Sequence, residues 1–168
     1  MRLNTPVSKV EYALDDGRTI VSTTDLQGRI TYANPYFIEV SGFTRDELIG
    51  APHNILRHPD MPKTVFWKLW DEIQKGHEIF AYVKNLTKDG SFYWVYAQVT
   101  PSFDKENKII GYHSVRRKPG REQILKIEGI YRQLLDAEKS GGLNAGQERL
   151  NRLLAQEGKQ YDEFIFTL

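Results

Sequence analysis

Glu78-Ile79-Phe80-Ala81-Tyr82-Val83-Lys84-Asn85-Leu86-Thr87-Lys88-Asp89-Gly90-Ser91-Phe92-Tyr93-Trp94-Val95-Tyr96-Ala97-Gln98-Val99-Thr100-Pro101-Ser102-Phe103 reads as two long strands that meet at a turn. β-Branched and aromatic residues crowd both runs, 78–88 and 91–103, and Asp89-Gly90 supplies the dipeptide of a tight hairpin. A third run, 108–116, follows the polar turn Asp104-Lys105-Glu106-Asn107 and extends the antiparallel series. Upstream, Thr19-Ile20-Val21-Ser22-Thr23-Thr24 and Arg29-Ile30-Thr31-Tyr32-Ala33 flank the turn Asp25-Leu26-Gln27-Gly28, which predicts a further hairpin.

Helical signals separate the two strand groups. Asn34-Pro35 offers an N-cap and a first-position proline ahead of a short helix that stops near Gly42, and Thr44-Arg45-Asp46-Glu47 has the form of a capping box. After Pro62, Val65, Phe66, Leu69, Trp70 and Ile73 recur at helical spacing until Gly76. The order of strands and helices predicts an α+β domain: a five-stranded antiparallel sheet with short helices on one face. Beyond Pro119-Gly120 the pattern turns helical throughout, with stripes over 121–139 and 143–166 broken at Ser140-Gly141-Gly142. Residues 1–17 are thus expected to form an N-terminal cap, 18–120 the sheet domain, and 121–168 an extension of two helices. That extension has three possible places for its apolar stripes: its own sheet, each other, or a partner chain.

Composition narrows function. The 168 residues carry 23 Lys and Arg against 22 Asp and Glu, for a formal net charge of +1, and the charges are mixed along the chain. No broad basic face exists for nucleic acid. The chain has no cysteine, which removes disulfides, thiolate metal sites and cysteine nucleophiles, and which suits a reducing cytoplasm. No apolar run approaches the ~20 residues that span a bilayer, and Met1-Arg2-Leu3-Asn4-Thr5-Pro6 lacks the apolar core of a signal peptide, so a soluble, unexported chain is expected. No serine sits in a glycine-framed elbow, no glycine-rich phosphate loop is present, and the carboxylate pairs Asp15-Asp16 and Asp71-Glu72 lie in polar, solvated contexts. The expectation is that this is not an enzyme. His53, His58, His77 and His113 lack the neighbouring acids or thiols of a zinc site.

Binding chemistry concentrates elsewhere, in Pro52-His53-Asn54-Ile55-Leu56-Arg57-His58-Pro59-Asp60-Met61-Pro62. A guanidinium, two imidazoles and a carboxylate in a proline-stiffened loop suit the polar half of a large anionic ligand. Read by alternate residues, strand 78–88 places Ile79, Ala81, Val83 and Asn85 on one face, so a carboxamide ends an apolar row. Asn85 then either meets a heteroaromatic edge or pairs with backbone near the hairpin end. Asn34 has a sufficient role as a helix cap and a second reading as a pocket residue, and Asp60 either contacts ligand or favours the positive end of the helix after Pro62.

The motifs Tyr32-Ala33-Asn34, Val40-Ser41-Gly42-Phe43-Thr44, Pro52-His53-Asn54, Arg57-His58-Pro59-Asp60-Met61-Pro62, Val83-Lys84-Asn85, Tyr93-Trp94-Val95 and Gly111-Tyr112, in this order, resemble the PAS sensor domain of bacterial aerotaxis, or energy-taxis, receptors. The resemblance covers residues 18–120. It implies a PAS fold holding non-covalent FAD between helices and sheet, with Arg57, His58, Asp60, Asn85 and Asn34 at matching positions and His53 and Trp70 beside them. At Ile79 the chain departs from the tryptophan common in the family. The implied function is a redox or oxygen sensor that signals conformationally to a membrane-bound methyl-accepting chemotaxis-type protein, from the cytoplasm and with inner-membrane association through that partner. Homodimerisation through the N- and C-terminal segments is a further implication. Two other readings fit the same fold: a haem-binding PAS gas sensor with His58 or His77 as ligand, and a ligand-free PAS interaction module.

Overall fold

The computed structural model describes residues 5–168. Its elements are β1 (Ile20–Thr24), β2 (Ile30–Ala33), α1 (Pro35–Ser41), α2 (Arg45–Leu48), a 3-10 turn (His53–Leu56), α3 (Lys63–Gln74), β3 (Ile79–Leu86), β4 (Phe92–Phe103), β5 (Ile109–Arg117), α4 (Arg121–Glu157) and α5 (Tyr161–Phe166). The strands form one antiparallel sheet in the order β2-β1-β5-β4-β3, which puts the chain's two hairpin groups side by side through β1 and β5. The groups of two and three strands therefore close into a single five-stranded sheet with helices packed on it, the α+β architecture expected.

Local rules account for the elements. Asn34 caps α1: its Oδ1 accepts from Phe37 N at 3.0 Å, and Pro35 stands at the first turn. Thr44 and Glu47 complete a reciprocal capping box at α2. At the β1–β2 turn, Asp25 Oδ1 accepts from the backbone of Gln27 and Arg29, each at 2.9 Å. Gly28 there has φ +79°, and the Trp70 ring passes so close that a Cβ would stand 3.0 Å from it. The turn needs glycine both for its backbone and for the space.

Alternation along the strands sorts the sheet into two faces. Short helices and α3 cover one face. The other is covered by the C-terminal extension, whose Ile124, Ile127, Tyr131 and Leu134 are buried. Tyr131 Oη donates to the Tyr82 carbonyl at 2.5 Å and Tyr161 Oη to the Phe80 carbonyl at 2.9 Å, while Tyr131 stacks on Trp94. The apolar stripe of the extension is thus spent on its own sheet. The extension departs from two helices: Gly142 is non-helical within α4, as the sequence break indicated, but the second stretch breaks again at Gly158, in the left-handed conformation, before α5 begins. A glycine in that conformation is a C-cap, and the apolar stripe running past it masked the stop.

Asp60 does not take the positive end of α3. That place belongs to Glu138 of α4, whose Oε1 accepts from Thr64 N at 2.8 Å and Thr64 Oγ1 at 2.7 Å, and whose Oε2 accepts from Lys63 N at 3.1 Å. The helix has no side-chain cap of its own, because Pro62 occupies the N-cap position. A Cβ on Gly146 would collide with Thr64 Oγ1, so this glycine lets the second half of α4 approach the same helix end.

Candidate functional site

A cavity of about 180 Å³ lies between the sheet and α3. Every strand of the sheet except β2 contributes to its floor, and always at alternate residues: Ser22 and Thr24 from β1, Val83 and Asn85 from β3, Ala97 and Val99 from β4, and Tyr112, Ser114 and Arg116 from β5. The roof is apolar and aromatic, made by Phe66, Leu69, Trp70 and Ile73 of α3, with Trp70 edge-on to Tyr112 at 5.5 Å between ring centroids. Gln27, Gly28, Pro52, His53, Asn54 and Arg57 form the rim. The loop that supplies His53 and Arg57 is tied down at both ends: His53 N donates to the Gly28 carbonyl at 2.9 Å, and Arg57 forms a backbone bridge to Asn85.

Four residues singled out from sequence therefore meet at one cavity: Arg57, His53, Trp70 and Asn85. The Arg57 guanidinium lies 3.8 Å over the Phe66 ring, and desolvation there holds its pKa below the usual value. It makes no ion pair among the described residues. Asn85 is 5% exposed, and no hydrogen bond among the described residues uses its carboxamide, although it lies near enough to the Tyr93 hydroxyl to lower that phenol's pKa. Burial outweighs this effect and pushes Tyr93 up to about 12.

The other four stand elsewhere. Asn34 is committed to the scaffold, since its Oδ1 also accepts from Val21 N at 3.0 Å and its Nδ2 donates to the Thr19 carbonyl at 3.0 Å. Ile79 is buried behind the cavity in a cluster with Ile73, Val99 and Tyr112. His58 is buried edge-on to Phe92, and its Nδ1 accepts from Asp60 N at 3.0 Å. Desolvation, with Lys84 nearby, holds His58 at about 4 against the opposing pull of Asp60, so the ring is neutral at physiological pH. Asp60 is exposed and accepts from Lys84 Nζ at 2.8 Å; despite an opposing desolvation cost, that lysine keeps the carboxyl below the usual carboxylate range. His58 and Asp60 thus brace the loop against β3.

Sequence reading missed Arg116, Ser22 and Ser114. Arg116 is 2% exposed, its Nη2 donates to Ser22 Oγ at 2.6 Å, and its Nη1 lies 3.3 Å from His53 Nε2. The alternation Tyr112, Ser114, Arg116 was available as a signal, because it repeats the row that ends in Asn85. Burial and the charge of Arg116 pull His53 down to about 3. Among the described residues there is no group of acids and histidines that could hold a metal ion, and no helix long and apolar enough to cross a membrane.

An antiparallel sheet roofed by helices over a mixed apolar and cationic cavity defines an α+β domain built around an internal cavity. Residues 30–116 match the family model described as PAS fold, and the chain belongs to that family. It is 43% identical over 140 residues to the Aerotaxis receptor of Escherichia coli (strain K12), covering 83% of the chain and 28% of that receptor. It is 30% identical over 105 residues to the Bacterioopsin transcriptional activator of Halobacterium salinarum, covering 61% of the chain and 16% of that protein. The dark structure of the blue-light photoreceptor Aureochrome1 LOV superposes with a TM-score of 0.59 at 21% identity, over 71% of this chain and 86% of that one. The resemblance read from the motifs holds: this is a PAS sensor domain similar to that of an aerotaxis receptor. The chain spans less than a third of the length of these two curated relatives.

Proposed function

We propose that the chain is an FAD-binding redox or oxygen sensor for energy taxis. The observation that carries this reading is the cavity's donor set: a buried carboxamide, a buried guanidinium in the floor and an exposed one at the rim, an aromatic and aliphatic roof, and no carboxylate in the lining. Such a lining fits a flat heteroaromatic ring with hydrogen-bonding edges joined to an anionic tail. Asn85 would hold the ring edge whose donors and acceptors alternate, Trp70 and Leu69 would cover its face, and Arg57 at the rim would meet the pyrophosphate. His58, Asp60 and Asn34 serve the site by fixing the loop and the first helix, and the departure at Ile79 acts through the packing behind the cavity.

Bound FAD supplies a ring whose charge and protonation change with electron flow. The protein's part is to read that change at Asn85 and carry it outward. β3 is shared between the two layers: Val83 and Asn85 face the cavity, while the Phe80 and Tyr82 carbonyls accept from Tyr161 and Tyr131 of the C-terminal helices. A shift of β3 therefore acts directly on α4 and α5. The output partner in this reading is a membrane-bound methyl-accepting chemotaxis-type protein, met from the cytoplasm at the inner membrane, and the reading rests on the similarity to the aerotaxis receptor. Reduction of FAD in this reading is a signal and not a turnover step: the imidazole that lines the cavity, His53, is engaged by Ser22 and Arg116, and no carboxylate lies in the lining to act with it. Haem is the weaker fit: neither His58 nor His77 lines the cavity, and the Nε2 of His53, which does, is taken up by Ser22 and Arg116.

The test is identification and titration of the cofactor. Chromatography of the supernatant from denatured protein should return FAD, and apo-protein should rebind FAD in preference to riboflavin. Arg57→Ala should weaken FAD about tenfold or more while leaving riboflavin binding unchanged. Equal loss for both ligands would remove Arg57 from the pyrophosphate.

A further inference from the structure

The roof of the cavity is fastened to the C-terminal extension and not to the floor. The strands of the floor are hydrogen-bonded to one another, and the rim loop is tied at Gly28 and Asn85. α3 is held differently. Among the described residues, the hydrogen bonds that join it to another helix or strand all run to Glu138 of α4, from Lys63 N, Thr64 N and Thr64 Oγ1. Toward the sheet it presents the side chains of Phe66, Leu69, Trp70 and Ile73, which enclose the cavity. Lys68 adds a second link to the extension, with its Nζ 5.8 Å from the centroid of the Tyr161 ring in α5.

The grip on α3 closes on Thr64 from two sides. Thr64 is fully buried; Glu138 reaches it from the part of α4 before Gly142, and Gly146 from the part after. A Cβ on Gly146 would collide with the Thr64 hydroxyl and stand 2.9 Å from Glu138 Cγ, so the second half of α4 has no clearance there. Between the two, Gly142 has φ +70° and ψ −159°, a backbone region open in practice only to glycine, with free space where a Cβ would stand. Arg149 Nη2 donates to Gln133 Oε1 across this break, and Leu150 beyond it is buried. The two halves of α4 therefore clasp one end of the roof helix. The carboxylate in the clasp also meets the positive end of the helix dipole, where no local side chain caps it.

We propose that the C-terminal extension is a strap that gates the cavity: α3 lifts to admit or release a ligand only when Glu138 and Gly146 let go of Thr64. This route runs through the roof and is separate from the one through β3. The inference deepens the reading above by adding control of ligand exchange, and it takes from that reading only the identity of the ligand. Glu138 is a positioning residue, since it touches α3 and not the cavity. Linkage makes the effect reciprocal: a partner that draws the extension away speeds exchange, and a ligand that holds the roof down steadies the extension.

The experiment compares wild type, Glu138→Ala and Gly146→Ala. Gly146→Ala pries the clasp open from the far side with Glu138 still present, so each variant tests the junction without the other. Hydroxyl-radical footprinting of the ligand-free proteins should show more modification of Phe66 and Trp70 in both variants. Trp94, which lies under the extension on the opposite sheet face, should stay as protected as in wild type. FAD should leave the loaded variants about tenfold faster, the factor expected from losing a helix cap. Unchanged modification of Phe66 and Trp70, or an unchanged release rate, overturns the strap. So does exposure of Trp94 together with them, which would make Glu138 a support of the whole fold. If Glu138→Ala fails to fold, Glu138→Gln, which keeps an acceptor and loses the charge, takes its place. A wild type that binds no flavin overturns the flavin reading, while the footprints still decide the strap.

Discussion

Asn34 shows how one side chain can look like a ligand contact and be a strut. Its three hydrogen bonds join α1, β1 and the segment before β1, so Asn34→Ala removes a cap and leaves backbone groups of Thr19 and Val21 unpaired. The expected cost is about 2 kcal/mol of unfolding free energy, read from urea denaturation. Asn85 is the reverse case, a buried carboxamide with the Tyr93 hydroxyl beside it and no other protein hydrogen bond among the described residues. Asn85→Leu should keep or raise stability in the absence of ligand and weaken flavin binding, by differential scanning and titration respectively; a large loss of apo stability would show that the carboxamide serves the fold. Alternation along β3 put Asn85 in view from the sequence. Arg116 lay in the same kind of row on β5, but arginine in a strand reads as solvent-facing, and only the assembled sheet shows β5 flanked on both edges.

Between elements, the contact of α3 with α4 could not be read from either segment. Helix caps are ordinarily local, and sequence reading looks for them within a few residues, whereas Glu138 caps α3 from 74 residues beyond Thr64. The local candidate, Asp60, pairs with Lys84 instead. Glu138→Ala should cost about 1–2 kcal/mol, and because α3 roofs the cavity, it should also raise hydrogen exchange at the amides of Lys63 and Thr64. Unchanged protection at those two amides would remove Glu138 as the cap. The strands and hairpin turns were legible because period-two alternation and turn dipeptides are local signals; the break at Gly158 was hidden by an apolar stripe that continues on both sides of it.

Across the whole molecule, the C-terminal extension had an evident apolar stripe and no evident destination, since amphipathicity specifies a buried face without naming what buries it. In the structure it closes the sheet face opposite the cavity. Burial also writes a pH dependence into the fold. His53 and His58 have ordinary values of 6.5 lowered to about 3 and about 4, so below 6.5 the unfolded chain takes up protons that the folded chain refuses. Stability is full above that value and falls with pH, by about 2 kcal/mol for each ring between pH 6.5 and 5. Urea unfolding of His58→Gln should show a correspondingly smaller loss over that interval than wild type, and an equal loss would mean that His58 is protonated in the folded state.

The absorption spectrum of freshly purified protein, before and after reduction, is the most direct measurement of the central claim. The account predicts flavin bands near ~450 nm that bleach on reduction and return in air, because the chromophore belongs to the cofactor. A Soret band near ~400–430 nm, or a colourless protein that takes up no added FAD, would contradict it.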